Sequence, residues 1–463
     1  MLPFLLQSMN ARATMLIGLE TVLIVGSVVL CAALRLGEQH AWSIVGTADG
    51  FLKAGLIALV CQACLYYDDL YDLRIVADRR ELIARTFHSL AGASLILAAL
   101  YFLLPDLGVG QGVVAAVALL VMAAIPCWRV AFESVVRRAA PRERLIIVGT
   151  SPAALSLATE LTERRYVLGL EIVGFVTGEA SKPVGAPVRI LGEVCDIPTI
   201  VRTHRVDRVV VSLADARGTL PMERLLEMKL NGVTFDHLAS VYERYTGKIA
   251  VENLRPSWLI FSAGFRTTRW VLTFKRVLDV GASLGALLLS LPVMTIVAIA
   301  VKVSSTGPIF YHQRRVGERG AVFTLHKFRS MRVDAESESG AVWSRNGDLR
   351  VTPIGRFLRQ MRLDELPQLW NVLRGDMSLV GPRPERPEFV QQLTLQIPYY
   401  GQRHIVKPGL TGWAQVRYAY GSSVEDAMEK LQYDLFYIKN MSLVMDAVIV
   451  LATVKTVLSR RGV

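Results

Sequence analysis

The chain has 463 residues, of which 52% are hydrophobic, and 52 Lys and Arg against 40 Asp and Glu leave a formal net charge of +12. Its mean hydropathy of +0.38 excludes an ordinary soluble protein, while its length leaves room for two or three domains. The basic excess suits an anionic membrane surface or anionic substrates; no nucleic-acid-reading signature accompanies it, so nucleic acid is not an expected partner.

The first third carries four apolar runs, about Thr14–Leu34, Phe51–Tyr66, His88–Leu104 and Val109–Trp128. Each approaches or reaches the roughly 20 residues that cross a bilayer, so residues 1–135 are expected to form a four-helix transmembrane bundle. The first run lacks a small-residue cleavage site, and no cleavable signal peptide is expected. Arg74, Arg79, Arg80 and Arg85 follow the second run, and Arg129, Arg137, Arg138, Arg142 and Arg144 follow the fourth. The turn at 105–108 has no base, so the positive-inside tendency puts both ends of the bundle in the cytoplasm. Glu20, inside the first run, is expected to face neighbouring helices rather than lipid. Four of the five cysteines lie in these apolar runs; Cys61 and Cys64 have CxxC spacing but no second pair, and nothing resembles a disulfide framework.

Residues 143–240 read as a Rossmann-like α/β domain. RLIIVGTSPAALSLATEL gives strand, glycine turn and helix, and Glu171–Val176, Arg208–Leu213 and Val233–Leu238 are further strand candidates. Only Gly149 survives of a G-x-G-x-x-G fingerprint, so a docking or regulatory role is favoured over dinucleotide binding. Residues 241–273 are expected to be a linker, with Trp258 and Trp270 as interfacial anchors.

The run 277–301 is long enough to span. Lys275 and Arg276 before it and Lys302, Arg314 and Arg315 after it put bases at both ends, against the positive-inside tendency. Pro292 removes a backbone donor mid-run, and Ser290 is placed to satisfy a freed carbonyl. A helix that enters, bends at Ser290–Pro292 and returns to the cytoplasmic face fits both features. The last run, Ser442–Leu458, is interrupted by Asp446 and Lys455 and reads as an interfacial helix.

Chemistry gathers between these runs. In KFRSM, Lys327 and Arg329 share one face of an extended segment, a pair of cations suited to a diphosphate. Ile354–Leu373 has helical periodicity, with Leu363, Leu366, Leu369 and Trp370 marking a buried face. Asp364 and Glu365 would lie about 100° apart on such a helix, and so take different tasks. Pro367 bends or restarts the helix there. A carboxylate can attack phosphorus, another can hold Mg²⁺ against a leaving diphosphate, and flanking arginines stabilise phosphoryl oxygens. The constellation fits phosphoryl transfer from a diphosphate donor. Pro382 and Pro384 hold Arg383 extended.

Taken together, KRVLD, FYHQRRVG, KFRSM, LDELPQLWNVLRGDMSLVGPRPERP and KPGLTGWAQV, in this order, resemble the bacterial polyprenyl-phosphate glycosyl-1-phosphate transferases, in their large polytopic branch. The resemblance implies a catalytic domain over 274–463. There, a sugar-1-phosphate moves from a UDP-sugar to undecaprenyl phosphate with release of UMP, at the start of exopolysaccharide or O-antigen synthesis in the inner membrane. It implies Asp364 as nucleophile of a phosphosugar–aspartate intermediate and Glu365 as Mg²⁺ ligand. Arg359, Lys327 and Arg383 would contact phosphates, and Lys275 and Arg276 the lipid phosphate. Gln313, Arg315, Arg329, Asp434 and Tyr437 complete the expected substrate-binding set. Membrane lipids and a second copy of the chain are the other expected partners. One departure stands out: Leu291 separates Ser290 from Pro292, where small members of the family have them adjacent.

Overall fold

The computed structural model describes residues 11–37, 39, 47–68, 70–71, 79–107, 112–139, 143–163, 170–177, 189–212, 222–251, 264–265, 268–333, 335, 348, 350–418, 421 and 423–458. Arg74, Arg142 and Trp258 therefore lie outside the described residues. Contacts divide the chain into two compact units, Met1–Asp236 and His237–Val463.

In the first unit four apolar helices, α1 (Ala11–Leu36), α2 (Ala48–Tyr67), α3 (Arg79–Leu103) and α4 (Val113–Ala139), pack around Ile24, Val28, Ile57, Leu65, Leu90, Val117 and Ile125. Each contains a stretch long and apolar enough to cross a membrane. Glu20 is fully buried and turned toward its neighbours: Arg129 Nε and Nη2 donate to its carboxylate at 2.7 and 3.0 Å, and the Tyr71 hydroxyl at 2.6 Å. The remaining Arg129 donor, Nη1, reaches the Leu70 carbonyl at 2.7 Å. A carboxylate and a guanidinium so satisfied are tolerable at membrane depth, where an unpaired charge is not.

An α/β layer follows: β1 (Glu143–Val148), α5 (Pro152–Glu163), β2 (Leu170–Thr177), β3 (Ile190–Glu193), α6 (Ile197–His204), β4 (Arg208–Val211), α7 (Met222–Leu230) and β5 (Thr234–His237). The strand order is β3-β2-β1-β4-β5, with β1 parallel to both β2 and β4 and β2 parallel to β3. Leu145–Val148 of the central strand are buried, as a parallel strand covered on both faces requires. The turn after β1 needs Gly149 for its φ of +103°, and Ser151 Oγ accepts from the Ala154 N–H at the start of α5.

The second unit opens with α8 (Leu238–Thr246), which runs into the stretch 241–273 expected to be a linker. That expectation is corrected: Leu238, Val241 and Tyr242 form a buried face at helical spacing, His237 caps the N-terminus, and Gly247 closes the C-terminus at φ +69°. Lys439 Nζ donates to Glu243 of this helix at 2.5 Å.

Next comes α9 (Arg269–Ser304), 36 residues long. It stays helical through Pro292, where a bend was expected, and Ser290 Oγ donates to Leu287 O at 3.1 Å. That carbonyl is three residues back, not the Leu288 carbonyl that Pro292 leaves without its donor. The helix exposes Leu289, Ile296 and Val303 and is also long and apolar enough to cross a membrane.

Its C-terminal half packs Val297 and Val301 against Phe328 and Leu358. These come from the antiparallel hairpin of β6 (Phe310–Val316) and β7 (Val322–Phe328) and from α10 (Pro353–Gln360). Then follow α11 (Gln368–Arg374), β8 (Ser378–Val380), α12 (Pro387–Gln396), β9 (Gly409–Thr411), α13 (Trp413–Arg417), α14 (Val424–Lys439) and α15 (Leu443–Leu458). β8 and β9 pair in parallel, Ser378 with Gly409 and Val380 with Thr411.

Candidate active site

The acidic pair does not sit on one long helix. Thr352 caps α10 by accepting the Gly355 N–H at 3.0 Å, and α10 ends at Gln360. Arg362 then turns left-handed at φ +55°, and Leu363–Glu365 form a single 3₁₀ turn. The expected helix over 354–373 is thus interrupted before Pro367 is reached, and α11 restarts after that proline. Residues on a 3₁₀ turn stand about 120° apart, so Asp364 and Glu365 diverge further than an α-helix would allow. Leu369 is buried as expected, but Trp370 is 56% exposed, which corrects its assignment to the buried face.

The two carboxylates meet opposite environments. Glu365 Oε1 accepts Arg383 Nη2 at 2.7 Å and Lys327 Nζ at 3.1 Å, while Arg362 Nη1 stands 3.4 Å from Oε2. Burial would raise its pKa, but Arg383, Lys327 and Arg362 outweigh burial and hold the carboxyl well below the usual range. Asp364 is equally buried, at 6% exposure, yet among the described residues no hydrogen bond or ion pair engages its oxygens. Burial pushes its pKa up, opposed by the fields of Lys327, Arg359 and Arg383. The result is a buried carboxylate outside any ion pair among the described residues beside one held by three cations, at the centre of a cationic cluster.

Several expected site residues converge here. Lys327 reaches Glu365 from β7, and strand alternation puts Gln313 and Arg315 of β6 on the same face of the hairpin. Arg315 donates to Gln313 Oε1 at 2.6 and 3.0 Å and to Pro384 O at 3.0 Å, backing the segment that presents Arg383. Arg359 donates to Ser330 Oγ at 3.0 Å at the edge of the cluster.

Others engage internal partners instead. Arg329 is buried, and its guanidinium donates to the carbonyls of Ser305 and Thr306 at 2.8 and 2.9 Å, closing the C-terminal end of α9. Lying one residue beyond β7, it does not share the role of Lys327. Asp434 is buried in an ion pair with Arg403 at 2.7 and 3.1 Å, and Arg403 in turn donates to the Arg383 carbonyl at 3.1 Å. Tyr437 is buried with its hydroxyl between Val380 O and Asp446 Oδ1, at 3.1 and 2.8 Å. Lys275 is buried on the same Val380 carbonyl and on Asp446, at 3.0 and 2.7 Å. Arg276 closes α11 through Val372 O and Leu373 O at 2.6 and 2.8 Å. These five residues were expected to touch substrate; in the structure their polar atoms engage internal partners around the Val380–Arg383 segment and at two helix ends.

Three contributors were not read as site residues in the sequence. Arg403 and Asp446 carry ion pairs above, and buried Asp279 accepts the Leu379 N–H at 3.1 Å. Only the need of a buried carboxylate for a counter-charge hints at Arg403, 31 residues from Asp434.

Magnesium, which the resemblance implies, keeps several waters and takes one or two carboxylates plus substrate phosphates. Among the described residues no cluster of three ligating side chains forms an all-protein cage. Glu365 Oε2, with Arg362 Nη1 at 3.4 Å, is the carboxylate oxygen that would take a metal shared with a substrate diphosphate.

The family model for bacterial sugar transferases matches residues 270–460, and that for a CoA-binding domain matches residues 67–220. The chain is 34% identical over 334 residues to UDP-glucose:undecaprenyl-phosphate glucose-1-phosphate transferase of Xanthomonas campestris pv. campestris, covering 69% of this chain and 67% of that protein. It is 40% identical over 260 residues to UDP-N-acetylgalactosamine-undecaprenyl-phosphate N-acetylgalactosaminephosphotransferase of Aeromonas hydrophila, covering 56% of this chain but only 60% of that relative's length. It is 41% identical over 194 residues to the exopolysaccharide production protein PSS of Rhizobium leguminosarum bv. phaseoli, covering 41% of this chain and 97% of that protein. The chain belongs to the bacterial sugar transferases, the family of undecaprenyl-phosphate sugar-1-phosphate transferases.

Proposed function

We propose that the chain transfers a sugar-1-phosphate from a UDP-sugar to undecaprenyl phosphate, as the first step of a surface-polysaccharide pathway. The observation that carries this reading is the contrast at 364–365: a buried carboxylate with no partner among the described residues beside one held by three cations. In the first half-reaction an Asp364 oxygen attacks the phosphorus bonded to the sugar. The bond to the bridging oxygen breaks, and UMP leaves with the electron pair. In the second, an oxygen of undecaprenyl phosphate attacks the same phosphorus and the aspartyl bond breaks, giving the polyprenyl-diphospho-sugar and restoring Asp364.

Lys327, Arg383 and Arg362 bind the diphosphate and draw off charge that builds on its oxygens. Arg359 adds to the field that opposes the effect of burial on the Asp364 carboxyl. Bound at Glu365, Mg²⁺ would neutralise charge on the diphosphate. The names of the Xanthomonas and Aeromonas relatives, a glucose-1-phosphate and an N-acetylgalactosamine-phosphate transferase, leave the sugar open between at least these two. UMP release by the purified chain, measured across UDP-sugars with undecaprenyl phosphate and Mg²⁺, tests the reading. One UDP-sugar is expected to stand out; release from none of them would sink it.

The proposal includes the membrane arrangement. α1–α4 cross the inner membrane, while α9 enters from the cytoplasmic side and returns, which keeps the acidic pair at the cytoplasmic face. Bases at both ends of the run and the apolar exposure of Leu289 and Ile296 support this. A single cysteine placed after Lys302 is expected to resist an impermeant thiol reagent in intact cells. Ready labelling would show that α9 spans.

A further inference from the structure

The hairpin that presents Lys327 carries two histidines on its other face. His312 of β6 and His326 of β7 are directly opposed in the antiparallel register. Their Nδ1 atoms lie 2.9 Å apart, and the rings stand at 86° with centroids 4.8 Å apart. Neither takes part in the cluster around Asp364, since strand alternation separates them from Lys327, Gln313 and Arg315.

Imidazole is the commonest side-chain ligand of transition metals. Two nitrogens each about 2.05 Å from one ion and at right angles to each other lie about 2.9 Å apart, while a tetrahedral angle would spread them to about 3.3 Å. The observed spacing is that of neighbouring ligands in a square or octahedral site, the preference of Cu²⁺ and Ni²⁺. We propose that His312 and His326 form a two-histidine surface site for a divalent transition-metal ion, with water in the remaining positions.

A further observation supports a site already shaped for an ion. The His326 backbone N–H donates to Asn371 Oδ1 at 3.1 Å, and Asn371 Nδ2 donates to Thr324 O at 2.7 Å, so a fully buried side chain of α11 fixes the β7 backbone from Thr324 to the ligand itself. Among the described residues no third His, Cys, Asp or Glu completes a cluster with the pair, which is why water must supply the rest. An ion here would tie β6 to β7 directly behind Lys327, joining the catalytic hairpin to metal supply without entering the acidic pair.

The test is calorimetric titration of the full chain, purified without a histidine tag and held in lipid nanodiscs, with Ni²⁺ as the probe. One ion per chain is expected. His312→Asn and His326→Asn should each weaken binding at least about tenfold, the lower end of what loss of even an outer-shell partner costs. His312→Gln keeps a hydrogen-bonding side chain against His326 but removes the imidazole, and should weaken binding as much. Cu²⁺ bound to the unaltered chain should show coupling to two nitrogens in its paramagnetic resonance spectrum, and the double variant H312N/H326N should not. Absence of Ni²⁺ binding, or equal binding by the unaltered chain and the double variant, would overturn the proposal and leave the pair a plain hydrogen bond.

Discussion

Asp364→Asn is expected to lower UMP release by about 10⁴-fold or more, the scale on which removal of a covalent nucleophile acts. Asparagine keeps the shape of the side chain and removes the attacking oxygen anion. Because Asp364 holds no ion pair among the described residues, and burial already disfavours its charge, the substitution should leave thermal stability unchanged or slightly raised. Stability and activity therefore separate in this variant. A chain that merely gathers nucleotide sugars for other proteins would tolerate the change, and undiminished UMP release in a folded Asp364→Asn protein would remove Asp364 as the nucleophile.

The second large effect is expected at Asp434, for a different reason. Asp434→Asn strips the buried Arg403 guanidinium of its counter-charge, a loss of about 3–5 kcal/mol for a broken buried pair. Burial holds the Asp434 carboxyl up at about 6 even with Arg403 beside it, so the site tolerates charge only as a pair. Arg403 also anchors the Arg383 carbonyl, so activity should fall with stability as the Arg383 guanidinium drifts from Glu365. The double substitution Asp434→Leu with Arg403→Met should recover much of the stability, because an apolar replacement of a whole buried pair is often neutral or better. It should not recover full activity, since nothing then anchors Arg383. Thermal unfolding and UMP-release kinetics on these variants decide the matter: a raised KM in Asp434→Asn with an unshifted unfolding temperature would make Asp434 a substrate contact after all.

Asp434 shows why part of the site was hidden in the sequence. A tyrosine–aspartate pair on a late helix looks like polar chemistry, and nothing in its spacing reveals that Arg403 lies across the fold. The same holds for Lys275, which reads as a free base at the end of an apolar run until Asp446 and the Val380 carbonyl are brought to it. Arg329 follows Lys327 at strand spacing, but the strand ends at Phe328 and its side chain turns to the end of α9. Long-range ion pairs are set by tertiary packing, and one-dimensional patterns do not carry them.

What was legible was local. The apolar runs of the first third became long helices, and the strand–turn–helix pattern after Glu143 became a parallel sheet with Gly149 at its first turn. The proline before Gln368 announced a break beside the acidic pair, although its form, a 3₁₀ turn entered through a left-handed Arg362, was not readable. The prolines around Arg383 pointed to an aimed guanidinium, and its Nη2 donates to Glu365 Oε1 at 2.7 Å.

A covalent aspartyl intermediate has one direct consequence. With UDP-sugar and Mg²⁺ but no undecaprenyl phosphate, the first half-reaction should still proceed once. Rapid-quench measurement of UMP on the purified chain, using its best UDP-sugar, is expected to show a burst approaching one UMP per chain, with the phosphosugar carried on the peptide containing Asp364. The burst should be absent from Asp364→Asn. No UMP at all until undecaprenyl phosphate is added would contradict the covalent route and point instead to direct attack by the lipid phosphate.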